Sequence, residues 1–171
     1  MRIFIFFIFI HSLLFAHPHT FIDVFPTVKL SGDDGAKINF KWKMDEMASS
    51  MLIMDFDKNA DATLDKDEVS FVYTSYFKPL DEYSYFTLFK VNGVEKPLKI
   101  ENFNATIENN QLVYSFDIDI KNHNSKIELM FFDKEMFVAM ILEKEYVNSD
   151  TKYVLSDMDE DFYYGYKLEI N

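Results

Sequence analysis

Leu112-Val113-Tyr114-Ser115-Phe116-Asp117-Ile118-Asp119-Ile120 alternates apolar and polar side chains from Tyr114 onward, and a period of two over this length is that of a β-strand with one face toward a core. Working outward, Asn109-Asn110 supplies a turn before it and Ala105–Glu108 a partner segment. Upstream, Tyr85–Val91 and Val94–Ile100 flank Asn92-Gly93, the strongest short-range hairpin signal. The β-formers of His17–Leu30 and the alternation of Lys37–Trp42 flank a turn at Gly32-Asp33-Asp34-Gly35 and make a first hairpin. Downstream, Lys126–Phe132, Phe137–Leu142 and Tyr163–Ile170 continue the series. About eight short strands separated by turn signals predict a mainly β protein, an antiparallel sandwich or barrel.

One stretch breaks the β pattern. Met44, Met47, Met51 and Met54 recur at spacings of three and four, the stripe of a helix over about 45–56, and Val69, Val72, Tyr76 and Leu80 do the same after it. Pro79 disfavours helical geometry in Lys78, so the second helix is expected to end there. The insertion spans about 45–80. The methionine stripe has the spacing of a core-facing surface; its two Met-x-x-Met pairs also admit a soft thioether site for copper(I).

Between the helices, Asp57-Lys58-Asn59-Ala60-Asp61-Ala62-Thr63-Leu64-Asp65-Lys66-Asp67-Glu68 follows a twelve-residue EF-hand-like calcium loop. Asp57, Asn59 and Asp61 occupy positions one, three and five, and the Thr63 carbonyl position seven. Asp65 stands at nine and Glu68 at twelve as the bidentate ligand. Position six, where glycine makes the turn, is Ala62, so weak binding is expected. Asp157-Met158-Asp159-Glu160-Asp161 also spaces three carboxylates, but lacks the turn and the closing glutamate and reads as a solvated acidic loop.

Met1-Arg2 followed by the apolar run Ile3–Phe15 and Ala16 has the form of a secretory signal over residues 1–16, leaving a single periplasmic domain, 17–171. The chain has no cysteine, which excludes a disulfide framework, and a net charge of −12, which argues against nucleic acid and suits cations. At 49% hydrophobic and 18% aromatic it has the composition of a folded domain.

Cleavage after Ala16 exposes His17-Pro18-His19, an α-amine and two imidazoles within three residues. Pro18 has no amide proton, so the square-planar mode through backbone amides is blocked. The amine and the His17 ring remain, with His19 and Asp23 to complete a site for Zn2+, Ni2+, Co2+ or Cu2+. His17, His19 and Asp23 share one face of a strand. His123, in Lys121-Asn122-His123-Asn124-Ser125, reads as a solvated loop histidine.

Taken together, His17–Asp23, Trp42–Met47, the loop Asp57–Glu68 and, more loosely, Phe131–Asp133 with Phe137-Val138 resemble a family of bacterial periplasmic proteins of unknown function labelled as periplasmic components of a transport system. The resemblance implies partnership with inner-membrane permeases of the nickel/cobalt type and a role in zinc or nickel uptake. The expected function is that of a non-enzymatic, divalent-metal-binding accessory protein. A calcium-stabilised structural module and a histidine-brace copper protein are the alternatives.

Overall fold

The computed structural model describes residues 20–30, 35–121, 126–135, 137–160 and 163–170. Its strands are β1 (Thr20–Leu30), β2 (Gly35–Met44), β3 (Thr87–Val91), β4 (Val94–Glu95), β5 (Ile100–Glu108), β6 (Gln111–Lys121), β7 (Ile127–Phe132), β8 (Val138–Ile141), β9 (Asn148–Ser149), β10 (Tyr153–Glu160) and β11 (Tyr163–Ile170). They form two sheets, one in the order β5-β6-β2-β1-β8 with β9 also on β1, the other β10-β11-β7-β3-β4. This is the sandwich alternative of the expected fold. Alternation does the work: Tyr114, Phe116, Ile118 and Ile120 of β6 are buried, as are Ile38, Phe40 and Trp42 of β2. The two sheets meet through aromatic rings, Phe40 against Phe116 at 5.3 Å and against Phe131 of the opposite sheet at 6.0 Å.

Two of the three predicted turns form where asparagine tolerates left-handed backbone; the third, at Gly32-Asp33-Asp34-Gly35, lies outside the described residues up to Gly35. Asn92-Gly93 (φ 51 and 76) joins β3 to β4, and Asn109-Asn110 (φ 52 and 63) joins β5 to β6. Gly165 of β11 lies so close to β7 that a Cβ there would stand 2.3 Å from the Phe131 carbonyl oxygen, so the seam between these strands requires glycine.

Several expectations need correction. Val94–Ile100 is not one strand: Val94–Glu95 pairs with β3, and Ile100 opens β5 in the other sheet. Asp157–Glu160 belongs to β10, antiparallel to β11, and is not a loop; its alternating carboxylates are the outward positions of a strand. Pairing is not purely antiparallel, because β1 runs parallel to β8 and β9. Pro79 does not end the helical segment. After α2 (Lys66–Val72) the chain widens into a π-type turn over Tyr73–Phe77 and continues as a 3-10 helix over Lys78–Phe86, with Pro79 in its first turn, where its missing N–H costs nothing. That segment kinks at its end, with Ser84, Tyr85 and Phe86 all at φ near 50.

The first helix, α1 (Glu46–Phe56), is capped by Asp45, whose Oδ1 accepts from the N–H of Met47 and Ala48. Its rotation differs from the expected one. Ala48, Ser49 and Phe56 are buried, with Leu52 and Ile53 packed beside them, whereas Met47, Met51 and Met54 are 64%, 59% and 79% exposed. Only Met44, the last residue of β2, turns inward. The helix is apolar on both sides, so periodicity alone does not say which side faces the core. Ser49 decides it: its hydroxyl donates to the Met44 carbonyl (3.2 Å) and accepts from the Leu112 N–H (2.9 Å), and all of this is buried. In the second stripe Val72 is buried and Val69, Tyr76 and Leu80 pack on the core, as expected. Phe56 and Tyr76 meet at 4.6 Å and tie the two helices together.

Candidate functional site

The segment joining α1 to α2 is wound on its own side chains. Asp57 Oδ1 accepts from Asp61 N–H (3.1 Å) and Oδ2 from Ala62 N–H (2.8 Å). Asn59 Oδ1 accepts from Asp61 N–H, and Asp61 Oδ1 from both the N–H and the hydroxyl of Thr63. The hydroxyl and N–H of Thr63 hold the Asp61 carboxyl below its ordinary range, so it stays charged. Ala60 and Ala62, at positions four and six, both take left-handed backbone, φ 57 and 63. The sharp turn normally made by glycine is therefore made here by an alanine under strain.

Asp65 and Glu68 close the loop. Asp65 caps α2 by accepting from Asp67 and Glu68 N–H, and Glu68 Oε2 accepts in return from Asp65 N–H, a reciprocal capping box. Glu68 Oε1 accepts from Lys58 N–H at 2.8 Å, which pins the start of the loop to its end. Leu64 packs against the core from position eight. Thus Asp57, Asn59, Asp61, Thr63, Asp65 and Glu68 all lie in one compact turn. The carboxylate and amide oxygens are engaged by N–H groups yet keep further lone pairs, the property an oxygen-coordinated cation requires. Among the described residues no three carboxylate, imidazole or thiolate side chains converge into a ready-made metal cluster; the side chains as they stand turn onto the backbone. The ligand set fits calcium in kind, and the Glu68 carboxylate must swing from its capping bonds to ligate in bidentate fashion.

His17 and His19, like His123, lie outside the described residues, as do residues 1–16; Asp23 is described. It sits in β1 opposite Lys43 of β2 and Ile141 of β8. Burial pushes its carboxyl upward against the pull of Lys43. Two further acids stand near it that sequence reading missed. Glu143 follows β8 and Glu145 lies in the 3-10 turn Lys144–Tyr146, whose Tyr146 ring packs on Phe25 at 4.3 Å. Burial, then Glu145, then the charge of Asp23 raise the Glu143 carboxyl. The Tyr146 phenol is raised by burial and by Asp23, Glu143 and Glu145. The start of β1 is thus an electronegative corner. Nothing in the sequence links residue 23 to residues 143–145; the parallel pairing of β1 with β8 brings them together. Asp45 joins this corner to the helical unit, since its Oδ2 accepts from Phe21 N–H (2.8 Å) and its N–H donates to the Phe21 carbonyl (2.9 Å).

Among the described residues no helix is long and apolar enough to cross a membrane. A family model described as a protein of unknown function (DUF1007) matches residues 2–160. An uncharacterized protein of Haemophilus influenzae is 28% identical over 138 residues, covering 78% of this chain. The match takes in 66% of that relative, so the chain spans just under two thirds of its length.

Proposed function

We propose that this chain, which belongs to the DUF1007 family, is a non-enzymatic divalent-cation-binding protein exported to the periplasm by residues 1–16. In this reading it holds calcium weakly in the Asp57–Glu68 loop and a transition metal at its mature amino terminus, in the service of an inner-membrane zinc, nickel or cobalt permease. The observation that carries the reading is the shape of the loop: alanine is held left-handed at the two turn positions while Asp57 accepts from the N–H groups of Asp61 and Ala62. Strain of this kind is retained where the rest of the turn over-determines it.

Support for the second metal comes from the corner around Asp23. β1 begins at Thr20, the residue after His19, and Asp23, Glu143 and Glu145 make that end of the strand negative. A cation relieves repulsion among carboxylates and gains from neutral imidazole and amine ligands, with Asp23 as the oxygen donor. The test is titration with zinc, nickel, cobalt and copper of three proteins: one beginning at His17, one with an added amino-terminal alanine, and His19→Ala. Loss of the tight mode in the second and third is expected, because the added residue displaces the amine from its chelate ring. Equal stoichiometry and affinity in all three exclude the terminus as the site.

A further inference from the structure

We propose that the outward face of α1 is a thioether site for a soft monovalent cation, copper(I) by class, with Met51 as its central ligand and Met47 and Met54 flanking it. In a helix of 3.6 residues per turn the three fall within an arc of about 60°, nearly opposite the centre of the core-facing set Ala48, Ser49, Leu52, Ile53 and Phe56. Their exposures of 64%, 59% and 79% make them the exposed methionines among the described residues; Met44, Met130 and Met140 are buried. Outward helix positions are ordinarily occupied by charged helix formers such as Lys and Glu. Here two turns of the helix present sulfur at each position of the stripe.

The chemistry is selective. Neutral thioethers are poor ligands for calcium, zinc or nickel and good ones for copper(I). Met51 stands four residues after Met47 and three before Met54, spacings that place Cβ atoms about 5–6 Å apart, within reach of two flexible side chains meeting at one ion. Met47 and Met54 are about 10.5 Å apart along the axis at 1.5 Å per residue, so an ion sits on Met51 and recruits its neighbours. Neutral ligands leave the ion's charge uncompensated, and exposed Glu46 and Asp55 border the stripe on a chain of net charge −12. This site is independent of the loop and of the amino terminus.

The experiment is nuclear magnetic resonance of the intact protein labelled with 13C at the methionine methyl groups. It is titrated without oxygen with copper(I) supplied as its acetonitrile complex, and in parallel with silver(I) nitrate in chloride-free buffer as a redox-inert analogue. We expect the methyl signals of Met47, Met51 and Met54 to shift and saturate at one equivalent while those of Met44 and Met140 stay in place. Zinc, nickel and calcium should leave the three signals unmoved. Leucine keeps the apolar volume and helix propensity of methionine but removes the sulfur. Met51→Leu should weaken binding at least tenfold in competition with a chromogenic copper(I) chelator, and Met47→Leu or Met54→Leu less, with thermal melting unchanged in each. Unshifted methyl signals, or a triple leucine variant that binds as tightly as the parent, overturn the proposal; the second outcome places the ion on histidine or carboxylate, or marks the stripe as a purely apolar contact surface.

Discussion

Replacing Ala62 by glycine removes a Cβ from a residue held at φ 63. A left-handed conformation costs a non-glycine residue about 1–2 kcal/mol. Glycine loses more conformational entropy on folding than alanine, a loss of about 0.4–1 kcal/mol, so the net gain is about 1 kcal/mol. Because the strain is already present in the folded loop, most of the gain should appear as stability. For a chain of this size that is a rise in Tm of about 2–4 °C. Any part of the strain that calcium itself imposes appears instead as tighter binding, up to about fivefold, from a starting Kd on the order of 0.1–1 mM. Melting scans with and without calcium, together with calorimetric titration, divide the two. An Ala62→Gly protein that neither melts higher nor binds calcium more tightly refutes the account of the turn.

Glu68→Gln should weaken calcium binding more than Asp65→Asn, because Glu68 supplies two oxygens while position nine often acts through water; equal losses by calorimetry contradict the register. Asp45→Ala removes the cap of α1 and the acceptor of Phe21 N–H, so it should cost about 2 kcal/mol in denaturant unfolding, and an unchanged midpoint refutes the tie between the helix and β1. Burial pushes the Asp117 carboxyl up, but hydrogen bonds from Asn102, Asn39 and Lys37 outweigh it and hold the carboxyl below its ordinary value. A depressed value stabilises the fold above the unfolded pKa, near 4, and that stability is lost as pH falls through the folded one. The melting gap between the parent and Asp117→Asn should accordingly be wide at pH 7 and close in acid; a gap independent of pH rules this out.

What the sequence carried well was local. Alternation in Leu112–Ile120 and the turn chemistry of Asn92-Gly93 and Asn109-Asn110 are properties of a few neighbouring residues, and they led to β6 and to both asparagine turns. They did not lead to the strand ends: of Val94–Ile100 only Val94–Glu95 pairs with β3, and Ile100 opens β5 in the other sheet. The residues singled out in Asp57–Glu68 fall in one side-chain-bonded turn because that pattern, too, is local. What escaped was set by distant partners. Which face of α1 turns inward depends on Ser49 finding the Met44 carbonyl and the Leu112 N–H, and that contact inverted the reading of the methionine stripe. The acids around Asp23 come from a parallel pairing across more than a hundred residues. β10 escaped because Asp157 and Asp159 look like loop ligands until β11 lies beside them, with Tyr166 and Tyr164 opposite.

The most direct measurement is a crystal structure grown in millimolar calcium, with the ion located by its anomalous scattering. A calcium ion is predicted within the Asp57–Glu68 loop, at about 2.3–2.6 Å from side-chain oxygens of Asp57, Asn59 and Asp61, the Thr63 carbonyl and both oxygens of Glu68. Glu68 is then released from the N–H groups of Lys58 and Asp65 that it now accepts from. A crystal that shows calcium elsewhere on the molecule, with Glu68 still bonded to Lys58 and Asp65, contradicts the claim that this loop is a cation site.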